Sequence, residues 1–253
     1  MKLTAAVRKT ILLVFSFLAF HLCNGQNSYT DSTNETVALD NAIDAYHLYL
    51  LPETGLFNGR EYRDYSSTIK TGNPFFYEPK FNKGTVEYDG ILYKDVPLLY
   101  DIVAGDVVIT DSNYFSKVRL VTERVSRFSI LDHVFTKLLP DSNNTISAGF
   151  YEVLYSGNTC LYKKQVKQIQ EAISMEDGVR RFIVENVSYY LKKDGRYYYV
   201  NSKSSLLKIL KDQKKELTVF IKKQKLDMKK AKDQSFIQVA GLYDQLSNGR
   251  SLQ

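Results

Sequence analysis

Between residues 84 and 200 the chain breaks into short β-prone runs separated by turn residues, and this texture restricts the fold more than any other feature. After TVEYDG comes ILYKDVPLLYDI, in which Val96, Leu98, Tyr100 and Ile102 alternate with Pro97, Leu99 and Asp101. A period of two puts the first set on one face of a pleated strand. Ala104-Gly105-Asp106 then turns the chain into VVIT, and further strands are expected in KVRLVTERV, RFSIL and VFTKLL. GFYEVLYSGNTCLYKK reads as a hairpin about Ser156-Gly157-Asn158, and FIVENVSYYLKKDGRYYYV as another about Asp194-Gly195. An Asp-Gly pair tolerates positive φ at both turn positions, as the tightest hairpin loops demand. The run predicts an antiparallel meander, open or curled into a partial barrel.

The period changes after residue 200. Leu206, Leu210, Leu217, Phe220 and Ile221 mark one face of an amphipathic helix capped by Asn201 or Ser202, and Phe236, Val239, Ala240, Tyr243 and Leu246 mark a second. The expected fold is α+β: a mainly β domain over residues 37–200, and a basic helical hairpin over 201–247 packed on it. Leu39, Ala42, Ile43 and Tyr46 predict a short opening helix, followed by loops with turn signals at Pro52, Gly55, Asn58-Gly59 and Gly72-Asn73-Pro74.

The N-terminus predicts export. Lys2, Arg8 and Lys9 precede an apolar run at 11–20, and Cys23 and Gly25 supply small residues before a cut between Gly25 and Gln26. The run is too short to span a bilayer, which takes about 20 apolar residues, so a cleaved signal peptide is expected over 1–25 and no membrane-spanning segment. The rival reading, a lipoprotein acylated at Cys23, lacks the small residue before the cysteine. Residues 26–36 are a polar linker. Cleavage leaves Cys160 alone, so the mature chain has no partner thiol for an internal disulfide.

Chemistry-bearing motifs are sparse. Nucleophile elbows, P-loops, dinucleotide-binding glycines and H-E-x-x-H are absent from the sequence. His47 and His133 stand isolated from other good ligands, so no metal and no cofactor are expected. The S-x-x-K strings at Ser67 to Lys70 and Ser205 to Lys208 lack their usual companions. Cys160 reads as a small apolar strand residue and His133 as a solvated turn residue, not as a thiol–imidazole pair. Glu87 and Asp89 are expected on one strand face, and Glu176-Asp177 form a second carboxylate pair; both read as solubility residues. No catalytic residue is assigned.

Charge and aromatic content point instead to binding. Residues 191–233 carry fourteen Lys or Arg against five Asp or Glu, within a chain of net charge +6. Tyrosines crowd both arms of the Asp-Gly hairpin, so each face of that ribbon must carry some of them. The candidate binding residues are Tyr190, Lys192, Lys193, Arg196, Tyr198, Lys214, Lys215, Lys222 and Lys223. The expected function is a non-enzymatic binding or accessory protein contacting an envelope protein, glycan or lipid through this basic, Tyr-rich end, with nucleic acid an unsuitable partner for an exported chain. The alternatives are a periplasmic carrier of an apolar ligand and a motif-poor hydrolase.

LFNGREY at 56–62, GNPFF at 72–76, KGTVEYDGILYKDVPLLYD at 83–101, GFYEVLY at 149–155 and YYLKKDGRYYYVNSKSSLLKILKDQKKEL at 189–217 together resemble a family of uncharacterised exported proteins of Bacteroidota. The resemblance covers most of the chain from about residue 41. It implies a Gram-negative envelope, hence a periplasmic, outer-membrane-associated or secreted protein, and carries over no functional residue. In that lineage Asp31-Ser32-Thr33 looks like an O-glycosylation signal, with Ser32 as the acceptor.

Overall fold

The pleat of ILYKDVPLLYD is where the architecture starts. Val96, Leu98 and Tyr100 turn to one face and Leu99 and Asp101 to the other, and all five are buried. The computed structural model describes residues 55–110, 115–175 and 178–250, with the isolated positions 37, 39 and 42. Val37, Leu39 and Ala42 are helical, where the opening helix is expected. The signal peptide, the Gly25/Gln26 cleavage site, Ser32, His47 and Glu176-Asp177 lie outside the described residues.

Among the described residues, eleven strands form one open sheet: β1 (Arg60–Glu61), β2 (Asn82–Tyr88), β3 (Ile91–Asp101), β4 (Asp106–Thr110), β5 (Lys117–Arg119), β6 (Val125–Ile130), β7 (His133–Leu138), β8 (Gly149–Ser156), β9 (Cys160–Ser174), β10 (Gly178–Lys193) and β11 (Arg196–Val200). The spatial order is β1-β5-β4-β3-β2-β6-β7-β8-β9-β10-β11. Every pairing in it is antiparallel. Helices α1 (Lys203–Ile209), α2 (Lys214–Lys223) and α3 (Lys232–Arg250) follow. The α+β meander is therefore present.

One connection forces curvature. β5 and β6 are separated by four strand spacings, about 19 Å in a flat sheet, while the six steps from Arg119 to Val125 reach at most about 20 Å. Thr122–Arg124 is coiled into a 3₁₀ turn, which puts a flat arrangement out of reach. β2–β6 therefore curl; the Leu120 N–H, donating to Val107 O at 2.9 Å, extends the β4–β5 ladder one step into this connection. The enclosed face is packed with rings: Phe128 stacks on Phe135 at 4.8 Å and meets Phe150 edge-on at 5.0 Å. Such pairs add about 0.5–1.5 kcal/mol each beyond the apolar area they bury.

The same face continues across β8–β11 and receives the helices. Leu161, Tyr189, Leu191 and Val200 pack against Leu206, Leu210, Leu217, Phe236 and Val239. The opposite face carries Tyr151, Tyr162, Tyr190 and Tyr197. Three helices stand where two are expected. Leu210 leaves helical geometry at φ −93° and ψ 40°, and a 3₁₀ turn at Lys211–Gln213 separates α1 from α2. The expected start is right: Ser202 caps α1, accepting from the Ser205 N–H while Ser205 Oγ accepts from the Ser202 N–H.

Two strand expectations are corrected. KVRLVTERV is not one strand: Lys117–Arg119 is β5, Thr122–Arg124 a 3₁₀ turn, and Val125 opens β6. β9 and β10 run much farther than expected, for 15 and 16 residues, and pair with each other continuously. Residues 164–174 and 178–188 have no other strand beside them, so they form a two-stranded ribbon leaving the sheet. A parallel bridge from Thr71 to Phe182 braces it near its middle. Gly72 is required there: its φ is +85°, and a Cβ would stand 2.9 Å from the Cβ of Ile183.

Candidate functional site

Where the ribbon leaves the sheet, three elements meet around a cleft of about 660 Å³. The first is the loop after Gly72. Asn73 accepts from the Phe75 N–H through Oδ1 and donates through Nδ2 to Tyr77 O. Phe76 N–H donates to Tyr100 O at 2.8 Å, so Phe75 and Phe76 are driven to opposite faces of the sheet. The next residue pays for that anchoring: Tyr77 sits at φ +58°, a left-handed conformation costing a non-glycine residue about 1–2 kcal/mol. The residue is 66% exposed, and its ring lies 4.9 Å from Phe76 and 5.4 Å from His133.

The second element is the helix-side face of β9 and β10. Lys163 donates to Asp233 Oδ2 at 2.7 Å and lies 3.4 Å from Glu152 Oε2. Burial works against its charge, yet these two carboxylates outweigh it and hold the amine above the usual lysine range. Glu152 Oε1 is 2.5 Å from His133 Nδ1, and Tyr189 Oη donates to Asp233 Oδ1 at 2.5 Å. Burial, reinforced by that carboxylate, pushes the Tyr189 phenol upward. His133, Glu152, Lys163, Asp233 and Tyr189 thus form one self-satisfied polar chain between two apolar clusters.

Lys167 is different. It is 7% exposed, and its Nζ donates to Phe75 O at 2.6 Å and Asn73 O at 3.1 Å, both neutral. Burial lowers its pKa, and the fields of Glu185 and Asp101 only partly offset this. Glu185 Oε1 itself accepts from Gln165 Nε2 at 2.7 Å.

The third element is the entry to α3. Asp227 Oδ1 accepts from the N–H groups of Lys229 and Lys230, fixing a turn that delivers Lys229, Lys230 and Lys232 to the cleft. The 19-residue helix then begins, and its first N–H groups give this end a partial positive charge. Among the described residues, none of Lys167, Lys229, Lys230 and Lys232 forms an ion pair. The cleft lining thus sets five lysines, Lys163, Lys167, Lys229, Lys230 and Lys232, against the two carboxylates of Glu185 and Asp233.

The residues singled out from the sequence are spread over both faces. Tyr190 lies in the tyrosine cluster of the opposite face, 5.6 Å from Tyr151, and Lys192 covers Tyr197 on that side. Lys193 turns to the helices, donates to Asp212 at 3.1 Å and lies over Tyr243. Lys193 and Tyr198 share a second cleft of about 650 Å³ with Lys208 and Lys211, and Lys214 lines a neighbouring one. Arg196, Lys215, Lys222 and Lys223 are exposed. The nine do not form one site.

Other readings also change. His133 is no solvated turn residue but the first residue of β7, bound to Glu152. The register β7–β8–β9 puts it on the helix side and Cys160 on the other, so the sheet separates the two. Glu87 lies in β2, whereas Asp89 is a turn residue at φ +50° paired with Arg124, so they do not share a strand face. Ser205 is consumed by the α1 cap. Among the described residues no three His, Cys, Asp or Glu converge as metal ligands. No helix among them is long and apolar enough to cross a membrane. No family model, curated protein or solved structure matches the chain.

Proposed function

We propose that this chain is a non-enzymatic exported binding protein of the cell envelope, and that it holds an anionic ligand in the lysine-lined cleft at the start of α3. The observation that carries the reading is Lys167, a buried ammonium met only by carbonyl oxygens, at the edge of a cleft that Lys229, Lys230 and Lys232 also line. A buried charge hydrogen-bonded only to neutral groups, with Glu185 and Asp101 acting on it through their fields alone, is under-compensated, and a ligand carboxylate or phosphate would complete its pairing. The basic surface of α1 and α2, with Lys214, Lys215, Lys222 and Lys223, extends the positive field and steers anions toward the protein. The acid–base pair nearest the cleft, His133 with Glu152, shares its carboxylate with Lys163, which favours a structural role over a catalytic one. Export and an envelope address rest on the N-terminal signal and the resemblance described above.

Titration calorimetry with inorganic pyrophosphate tests the assignment. Lys167→Met with Lys230→Met should weaken binding at least about tenfold, near 1.4 kcal/mol. Lys222→Glu with Lys223→Glu should change mainly the salt dependence. Undiminished affinity in the cleft variant would place the anion elsewhere.

A further inference from the structure

The cleft is far larger than a simple anion needs, and its lining is chemically two-sided. About 660 Å³ falls in the range of pockets that enclose whole small molecules, typically about 300–1,000 Å³. Beside the lysines lie Gln165, Gln234 and Glu185, which offer amides and a carboxylate, while the Asn73 amide is already taken up by the Phe75 N–H and Tyr77 O. A carboxylate repels a phosphate but accepts hydrogen bonds from hydroxyl groups. The occupant therefore carries negative charge at one end and hydroxyl donors elsewhere.

The rim adds an apolar element. Tyr77 is largely exposed, its ring supported from behind by Phe76 and His133. An aromatic face of this kind receives the C–H face of a sugar ring, since its π-cloud is negative and the ring hydrogens are not. Polar groups dominate the rest of the lining, and a single braced ring at the mouth suits a saccharide with many hydroxyls better than a flat base needing a sandwich.

We infer that the ligand is an acidic sugar, a saccharide bearing phosphate or carboxylate, whose anion meets Lys167 and the lysines before α3 and whose ring lies on Tyr77. This rests on the anion-binding reading above and goes beyond it in naming the ligand body. The sugar phosphate is either free or carried on a glycolipid.

Calorimetry at fixed ionic strength with glucose 6-phosphate, glucose, adenosine monophosphate and inorganic phosphate separates the parts. Glucose 6-phosphate should bind at least about tenfold more tightly than inorganic phosphate. Tyr77→Ala should abolish that advantage and leave inorganic phosphate unchanged, while Tyr77→Phe keeps it; urea midpoints of both variants check that the fold survives. Binding of lipopolysaccharide micelles that depends on Tyr77, without affinity for glucose 6-phosphate, supports the acidic sugar in its lipid-borne form. Glucose 6-phosphate no tighter than inorganic phosphate, with micelles no better than phosphatidylglycerol vesicles, overturns the sugar assignment and leaves the anion site standing. Tighter binding of adenosine monophosphate than of the sugar phosphate replaces the saccharide with a nucleotide. No binding of any probe overturns both readings.

Discussion

Asp244 ties α3 to the sheet, and its removal has a calculable cost. The side chain is 4% exposed and accepts the Thr159 N–H at 3.0–3.1 Å, the Thr159 hydroxyl at 2.9 Å and the Tyr155 hydroxyl at 3.1 Å. Gly157 closes over it so tightly that a Cβ there would stand 2.3 Å from Asp244 Oδ2. In Asp244→Ala the Thr159 amide and hydroxyl, 2% exposed as a residue, lose their acceptor at about 1–3 kcal/mol each. Tyr155 is half-buried and can turn to water, so it adds little. The expected loss is about 3–4 kcal/mol, or roughly 10 °C in Tm for a unit of this size. Urea unfolding followed by circular dichroism should show a lower midpoint at unchanged slope. Thr159→Val in the Asp244→Ala background removes one orphaned donor and should restore about 1 kcal/mol or more. A loss below about 1 kcal/mol, or no recovery with Thr159→Val, would refute this account of how α3 is held.

Three further outcomes follow from particular residues. Phe128→Ala removes the central ring of the curled core and should cost about 3–5 kcal/mol in urea unfolding. Burial opposes the ionised form of Asp212, but the Tyr243 hydroxyl and the Lys193 ammonium outweigh it and keep its pKa below the ordinary carboxylate value. Its stabilisation is present above about pH 3.8 and lost as pH falls through the lowered pKa, so Asp212→Asn should flatten the acid limb of a stability–pH profile. For Lys167 the sign is reversed. Burial lowers its folded pKa, so its charged form costs stability at neutral pH, and that cost fades as pH rises toward the ordinary lysine value near 10.5. Wild type should therefore gain on Lys167→Met between pH 7 and pH 10 in paired urea titrations; a pH-independent difference would contradict this.

The parts of the fold legible in the sequence are those where one local rule decides. Asp194 and Gly195 both take positive φ, at 51° and 75°, and join β10 to β11 as the Asp-Gly signal predicts. The alternation at 96–102 likewise sets the face of β3. Residues 182–188 read as strand, but the rest of the ribbon was illegible because it buries little on either side: Gln168, Gln170, Glu171, Arg180 and Arg181 give no apolar alternation, and the strands are held by their mutual ladder. The helical period ran through 206–221 because Leu206, Leu210, Leu217 and Ile221 all lie in one core cluster, so the break at Leu210 left no trace in the pattern.

The cleft was illegible for another reason. Lys167 bonds to a carbonyl 94 residues earlier, and Asp233 meets Lys163 across 70 residues, so no spacing motif can encode the site. The excess of lysine covers the stretch that supplies Lys229, Lys230 and Lys232, but these three were hidden among many others on the helix surfaces. Gly72-Asn73-Pro74 was visible as a turn, not as the support of the exposed Tyr77.

The long β9–β10 ladder also shapes the order in which the chain folds. Each successive pair from Ser174 with Gly178 to Cys160 with Lys192 adds two residues to a loop already closed, so no further closure entropy is spent as it zips. β2 and β6, by contrast, pair only after the detour through β3, β4 and β5 has been ordered. The ladder can thus serve as the early template of the molecule: it aligns Lys163, Lys167, Glu185 and Tyr189 before the loop at 72–78 or α3 has anything to dock on.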